Sequence, residues 1–414
     1  IATASLTING KNNTSIYNKG NMILDGTTKI IGTDGSTGIF SRGGTITRAN
    51  TSPVTITLTN TGTNKGIGIF ADTKANLNLD DAQVSVVDGS SAVVSYDTRT
   101  NVSLKNSTVK YTGEGYALYA KDGTIDLTNS KITLGGKATG YEMDASGTLP
   151  ITLTGATITV MSNDVTVMSL RNVPNLKLST LAADLGTVSG GATIIDGTDP
   201  AGVAYDKYNL ASVDGVAAYD IDTNLDKKIG ADSTKATTND YKFVRRVAAQ
   251  RSIFNVLSGV TVNSVLSTAE ETTIGAKSVV GLDISSSSYA SSNADTGINL
   301  QAGSTINADR TDAGNGAVGL YTNYGKINTN ASSTINVETG SNVVNDSGVG
   351  IYAVNGSEVN SAGTININGN KSIGILGAAY REDVTSGAAI VNEFVNSYGV
   401  VAPGQGTSRV VNTG

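Results

Sequence analysis

Gly66-Ile67-Gly68-Ile69-Phe70, then Asn76-Leu77-Asn78-Leu79, then Gln83-Val84-Ser85-Val86, then Ala92-Val93-Val94-Ser95-Tyr96: in this one stretch the chain presents three short alternating runs and returns to its opening phrase. Period-two alternation sends every second side chain to one face of a strand, so Leu77, Leu79, Val84 and Val86 point one way and the Asn, Gln and Ser residues point the other. One face is core and the other meets water. The runs are bounded by Gly, Asn, Asp and Ser and are too short for helix. No Asn-Gly pair separates them at the two-residue spacing that a hairpin meander needs.

The opening phrase recurs on both sides of this stretch. It appears as Thr37-Gly38-Ile39-Phe40, Gly115-Tyr116-Ala117-Leu118-Tyr119 and, more loosely, Gly140-Tyr141-Glu142-Met143. It returns as Ala317-Val318-Gly319-Leu320-Tyr321, Gly348-Val349-Gly350-Ile351-Tyr352, Ser372-Ile373-Gly374-Ile375-Leu376 and Ser397-Tyr398-Gly399-Val400-Val401, with steps of 23 to 31 residues within each array. The paired filler runs recur too, as Asn101-Val102-Ser103-Leu104 with Ser107-Thr108-Val109-Lys110 and as Thr124-Ile125-Asp126-Leu127 with Lys131-Ile132-Thr133-Leu134. A chain that returns to its starting face in this way satisfies its strand edges by pairing, parallel and in register, with the coils above and below. The expected fold is all-β: a right-handed parallel β-helix, a solenoid of about 24 residues per coil with three short strands per coil. A sandwich or propeller also gives short strands at steady spacing, but a propeller blade needs about forty or more residues and four antiparallel strands. The phrase-end residues Phe40, Phe70, Tyr96, Tyr119, Tyr321 and Tyr352 are expected to stack on themselves from coil to coil.

Composition narrows function by omission. The 414 residues include 49 Gly but only 5 Pro, and no Cys, His or Trp; 29 basic and 35 acidic residues leave a net charge of -6. That balance points to no general nucleic-acid or anionic-membrane surface. Lack of Cys removes disulfides and thiolate metal sites, and lack of His removes the side chain most used for proton transfer and for zinc. No cofactor is implied. No apolar run is long enough to span a bilayer, and Ile1-Ala2-Thr3 lacks the order of a signal peptide, so the expectation is an internal piece of a longer chain.

Between the arrays, over about 171–259, the phrase disappears. The expected organisation is a β-helix array over 1–170, an insertion over 171–259 and a second array over 260–414. Asn239 or Asp240 offers an N-cap and Gly259 a stop, so the spacing predicts one helix over 240–257, with Phe243, Val247, Phe254 and Leu257 on one stripe. Inserts on a repeat scaffold often carry its binding function, which makes Tyr205, Tyr208, Tyr219, Lys242, Arg245 and Arg246 candidate partner-binding residues. The tyrosines could stack on sugars or anchor a protein, or simply pack the insert down; the basic group could meet a sialylated glycan or an acidic protein, or be a solvated face. Asp220, Asp222, Asn224 and Asp226 are spaced like the start of a calcium loop, but Leu225 stands where that loop needs Gly and Ala231 where it needs the bidentate Glu, so a solvated acidic turn is the plainer reading.

Polysaccharide lyases and pectinases also use parallel β-helices. Their sites need acids, or Arg and Lys with an acid, converging from adjacent coils. Asp80-Asp81 is the one adjacent acid pair in the regular coils, it sits in a turn, and no Trp lines a cleft.

The phrases Gly348-Val349-Gly350-Ile351-Tyr352-Ala353, Ser357-Glu358-Val359-Asn360-Ser361-Ala362-Gly363-Thr364-Ile365-Asn366-Ile367 and Lys371-Ser372-Ile373-Gly374-Ile375-Leu376 resemble the passenger repeats of very large fusobacterial autotransporter adhesins. The resemblance covers roughly residues 30–160 and 275–402. It implies type V secretion, display on the extracellular face of the bacterial outer membrane, and attachment to glycan or protein receptors on host cells or partner bacteria. A membrane barrel on the same longer chain is implied as well, with no membrane insertion by this segment. Val410-Val411-Asn412-Thr413-Gly414 lacks the terminal aromatic of such a barrel, so a passenger fragment is expected. A Cys-free passenger suits threading across a membrane unfolded. The expected function is a non-catalytic adhesin segment acting through the insertion or projecting loops; a carbohydrate-active β-helix and a structural stalk are the alternatives.

Overall fold

The computed structural model describes residues 12–49, 53–144, 150–171, 176–177, 191–205, 208–214, 217–224, 245–246, 252–266, 279–285, 297–310, 317–323, 325–339, 348–354, 357–368, 372–381, 391–393 and 409–412. The chain forms two units, Ile1–Val173 with Ser179–Tyr208, and Pro174–Leu178 with Asn209–Gly414. Both are all-β, their strands stacked in parallel as a β-solenoid, and no helix occurs among the described residues.

In the first unit the chain visits three sheets in rotation. One holds Thr14–Asn18, Thr37–Arg42, Ile67–Asp72, Ser91–Tyr96, Tyr116–Lys121, Thr139–Asp144 and Thr166–Arg171. The next holds Asn21–Leu24, Thr45–Arg48, Asn76–Asn78, Asn101–Ser103, Thr124–Asp126 and Ile151–Thr152. The last holds Thr28–Thr33, Val54–Thr59, Gln83–Val87, Thr108–Thr112, Lys131–Gly135, Thr157–Val160 and Thr193–Asp196. Each return meets the strand of the preceding coil in register, so identical positions form columns. Ile46, Leu77, Val102, Ile125 and Ile151 are successive register partners, all buried. So are Ile30, Ile56, Val84, Val109, Ile132, Ile158 and Ile194. β-Branched and Leu side chains pack on the pleat, and no coil could bury its share alone.

One column carries a larger side chain. Tyr111 stands between Val86 and Leu134, fully buried, and its hydroxyl donates to the Gly89 carbonyl at 2.6 Å. The ring leaves no room beside it: a Cβ on Gly115 would lie 2.4 Å from the Tyr111 oxygen. Corners form columns of their own. Asp81, Asn106, Asn129 and Gly155 all lie in the left-handed region, with φ of 59°, 55°, 58° and 67°, where Asn, Asp and Gly are tolerated.

The second unit repeats the scheme with longer excursions. Leu176–Lys177, Ala217–Ile221, Ser252–Val256, Gly297–Leu300, Lys326–Thr329, Glu358–Ser361 and Arg409–Asn412 form one sheet. Thr261–Leu266, Thr305–Arg310, Thr334–Thr339 and Thr364–Asn368 form another, and Val279–Ser285, Ala317–Asn323, Gly348–Val354 and Ile373–Arg381 a third, to whose last strand Val391–Glu393 adds antiparallel. Phe254, Ile298, Ile327 and Val359 make a buried register column.

Two sequence expectations change here. Ser252–Val256 is a strand, paired in parallel with Ala217–Ile221 and Gly297–Leu300, in place of the end of the predicted helix. The reason is local alternation: Phe254 and Val256 are buried while Ile253 and Asn255 are half-buried, a period of two, and partner strands on both sides satisfy its backbone. Arg245–Arg246 is also a strand, against Asn209–Asp214; the remaining positions of 240–251 lie outside the described residues. The coil length also varies. In the first unit partners step from Ile39 to Ile69, Val93, Leu118, Tyr141 and Met168, spacings of 23 to 30 residues. In the second unit Phe254 pairs with Ile298, 44 residues on, and Val359 with Val410, 51 on. Within 171–259, Thr193–Asp196 pairs with Thr157–Val160, and Ala217–Ile221 and Ser252–Val256 pair with each other, so these strands run in the same ladders as the coils.

Candidate functional site

In the phrase-bearing sheet of the first unit, Ile39, Ile69, Val93 and Leu118 turn inward and are fully buried. The residue after each turns outward. Tyr17, Phe40, Phe70, Val94, Tyr119 and Glu142 are therefore one outward row by register. The phrase ending in Tyr96 is offset: Val94 takes the row and Tyr96 falls in the neighbouring row, opposite Lys121. The expected aromatic stack is nonetheless largely present, because the Tyr96 ring leans back. Tyr17 and Phe40 rings lie 5.3 Å apart and Phe40 and Phe70 5.2 Å apart, both edge to face; Phe70 and Tyr96 lie 6.4 Å apart at 22°, face to face. These rings meet solvent, with Tyr17 49% and Tyr96 39% exposed.

Cations attend the stripe. Lys19 Nζ is 5.6 Å from the Tyr17 ring centre and Lys121 Nζ 5.1 Å from that of Tyr96. Lys121 Nζ also donates to the Tyr96 hydroxyl at 3.2 Å, which raises the ammonium's pKa. Farther along the row Glu142 is nearly buried. Ser169 Oγ donates to its Oε2 at 3.3 Å, Arg171 Nη2 stands 4.0 Å from its Oε1, and Tyr116 hydrogen-bonds to it. Desolvation first, then the Glu142 charge, pushes the Tyr116 and Tyr119 hydroxyls above the usual tyrosine value. Aromatic faces, cations and a carboxylate thus share one wall, an arrangement suited to binding a ligand with apolar faces and polar edges.

The sequence-derived candidates lie on other elements. Tyr208 is buried and donates to Asp196 Oδ1 at 3.0 Å, which is the packing role. Tyr205 is half-buried behind the turn in which Asp199 Oδ1 accepts from the Ala201 and Val203 amides at 2.9 and 2.8 Å. Tyr219 lies in Ala217–Ile221, and Arg245 and Arg246 form the short strand beside Asn209–Asp214; Lys242 lies outside the described residues. Of the weak calcium set, Asp226 lies outside the described residues. Asp220 Oδ1 accepts from Asn255 Nδ2 at 2.8 Å, and Asn224 Oδ1 accepts from the Thr261 amide at 2.9 Å; Asp222 is half-buried. Among the described residues no group of three or more His, Cys, Asp or Glu is placed to hold a metal ion.

Asp220 is the end of a ladder. Asn255 accepts in turn from Asn299 at 2.9 Å, Asn299 from Asn328 at 2.7 Å and Asn328 from Asn360 at 3.0 Å. A second ladder links Asn263, Asn307, Asn336 and Asn366 at 2.6, 2.8 and 2.9 Å. The signal was in the sequence, as the recurring Thr305-Ile306-Asn307, Thr334-Ile335-Asn336 and Thr364-Ile365-Asn366. Parallel in-register stacking is what places equal side chains one above another. The wall carrying Phe70, Tyr96 and Lys121 was legible only as separate phrases.

Compared with known proteins, the chain matches no family model, no curated protein and no solved structure. No helix among the described residues is long and apolar enough to cross a membrane.

Proposed function

We propose that this chain is a non-catalytic attachment segment of a bacterial surface protein, a passenger-type right-handed solenoid that binds a glycan or protein receptor on host cells or partner bacteria. The observation that carries the reading is the outward stripe Tyr17, Phe40, Phe70 and Tyr96, with Tyr17 and Tyr96 exposed and Phe40 and Phe70 half-buried between them on the ladder. Exposed aromatic surface carries a solvation cost, and a contiguous row of it rimmed by polar groups is how interaction sites are built. Stacked coils of variable length supply reach and stiffness at little sequence cost. The resemblance to autotransporter passengers supplies the location, the outer face of the outer membrane. Tyr205, Arg245 and Arg246 are a second set of contact residues in this reading.

The test is attachment by cells displaying the parent protein. One variant carries Phe70→Ser with Tyr96→Ser, another Tyr205→Ala with Arg245→Ala and Arg246→Ala, and a third combines them. Attachment that falls in at least one variant supports the reading. Full attachment by the combined variant, with folded protein on the surface, defeats it.

A further inference from the structure

The last coil of the second unit gains a further strand on two of its sheets and none on the third. Arg409–Asn412 pairs with Glu358–Ser361, and Val391–Glu393 pairs with the end of Ile373–Arg381. Thr364–Asn368 ends its sheet, and among the described residues no strand follows it. The inward columns show the same edge. Ile306 and Ile335 are buried, as are Ala308 and Val337, but the next register partners, Ile365 and Ile367, are only half-buried. In the neighbouring sheet a Cβ on Gly319 or Gly350 would run into the glycine carbonyl of the following coil, whereas one on Gly374 would meet open space. Ile373 beside it is 43% exposed. Thr364 N donates to Ser333 O, toward the stack, so by alternation the Ile365 and Ile367 amides point to the open edge. Half-covered aliphatic side chains beside an unpaired strand edge are what strand addition uses.

The ladder specifies what a further strand would carry. Thr261, Thr305, Thr334 and Thr364 are successive register partners, and so are Val262, Ile306, Ile335 and Ile365, and Asn263, Asn307, Asn336 and Asn366. Each later Asn donates its Nδ2 to the Oδ1 before it, and among the described residues the Asn366 Oδ1 accepts no further amide. The pattern Thr, then Ile or Val, then Asn occurs five times in the chain. Four occurrences are these rungs, and the fifth is Thr7-Ile8-Asn9, outside the described residues. Its surroundings, Ser5-Leu6-Thr7-Ile8-Asn9, alternate polar and aliphatic residues as the rungs do. We propose that the open edge of Thr364–Asn368 is a strand-acceptor site whose occupant is residues 5–9 of a second copy of this chain, added parallel and in register. Thr7 then lies opposite Thr364, Ile8 covers Ile365, and the Asn9 amide donates to the Asn366 Oδ1 as each rung before it does. The contact is heterologous. A copy that accepts at this edge still has its own residues 5–9 to donate, so association runs head to tail beyond two copies.

Sedimentation of the full 414-residue chain from roughly 1 μM to 1 mM checks this. Weight-average mass is expected to rise past that of a dimer, with slowed exchange of the Ile365 and Ile367 amides. Ile8→Asp removes the donor and keeps the edge. Ile367→Pro removes an edge amide and keeps the donor, a change an edge strand tolerates. Thermal unfolding confirms that both fold; if either does not, Asn9→Lys replaces the first and Asn366→Lys, at an exposed side chain, the second. Alone, each variant should associate at least about tenfold more weakly than the wild type; mixed in equal amounts, they should form a one-to-one dimer and stop there. A monomeric wild type, variants that associate as the wild type does, or a mixture no stronger than its parts overturns the proposal.

Discussion

Asn106 holds φ at 55° on an exposed corner, a conformation Asn and Gly accept and β-branched residues resist. Asn106→Gly is therefore expected to leave its coil's stability nearly unchanged, whereas Asn106→Val should cost about 1–2 kcal/mol. Native-state hydrogen exchange of the Thr108–Thr112 amides reads both, and equal effects would remove the conformational argument. Tyr111 makes a prediction about pH. Desolvation, helped by the charges of Asp88 and Glu114, pushes its hydroxyl up from 10.0 to about 12. The folded chain therefore keeps this proton where the unfolded chain has lost it. The stabilisation is complete below pH 10.0 and disappears as pH rises toward about 12. Exchange-derived stability should fall over that window and fall less in Tyr111→Phe; the remainder belongs to Tyr141, whose hydroxyl burial alone pushes up, and to Tyr116 and Tyr119, which burial and the Glu142 charge push up. An identical alkaline slope in the variant would contradict the assignment.

An element acquires its character from its neighbours as much as from its residues. Phe243, Val247, Phe254 and Leu257 fit a helical stripe on paper, yet Ser252–Val256 is a strand because ladders on both sides accept it. Propensity is a weak prior when strand partners stand ready, and Ile253, Phe254 and Val256 are themselves strand formers. Position within a ladder likewise sets what an Asn contributes. Asn328 both donates to Asn299 and accepts from Asn360, whereas Asn366 ends its ladder with a single inter-coil amide bond. Asn328→Ala should cost about 1–3 kcal/mol, and Asn366→Ala about half as much. A double-mutant cycle between Asn299 and Asn328 should show coupling of at least about 0.5 kcal/mol. Additive effects there would mean that the amide bonds contribute nothing net.

Over a whole unit, stability is a sum of coils and their interfaces. Val109 is buried between Val84 and Ile132. Val109→Asp places an unpaired charge in that column, and exchange protection should collapse in Thr108–Thr112, drop in Gln83–Val87 and Lys131–Gly135, and recover with distance along the stack. Uniform loss across Thr14–Val160 would show a single cooperative core in place of stacked neighbours. The amino-acid sequence by itself determined the three-strand coil, the parallel stacking and the inward positions, because alternation is written locally and repeated: Leu77, Val84 and Val93 are each readable within a few residues and each is buried. Only the tertiary structure decided which outward side chains meet. Val94 rather than Tyr96 joins the row of Phe40 and Phe70, Asp220 accepts from Asn255 at the end of an asparagine ladder, and Lys121 comes to rest on Tyr96. The physical reason is register. Pairing joins residues from 23 positions apart, as Leu118 with Tyr141, to 51 apart, as Val359 with Val410, and no local pattern fixes that offset.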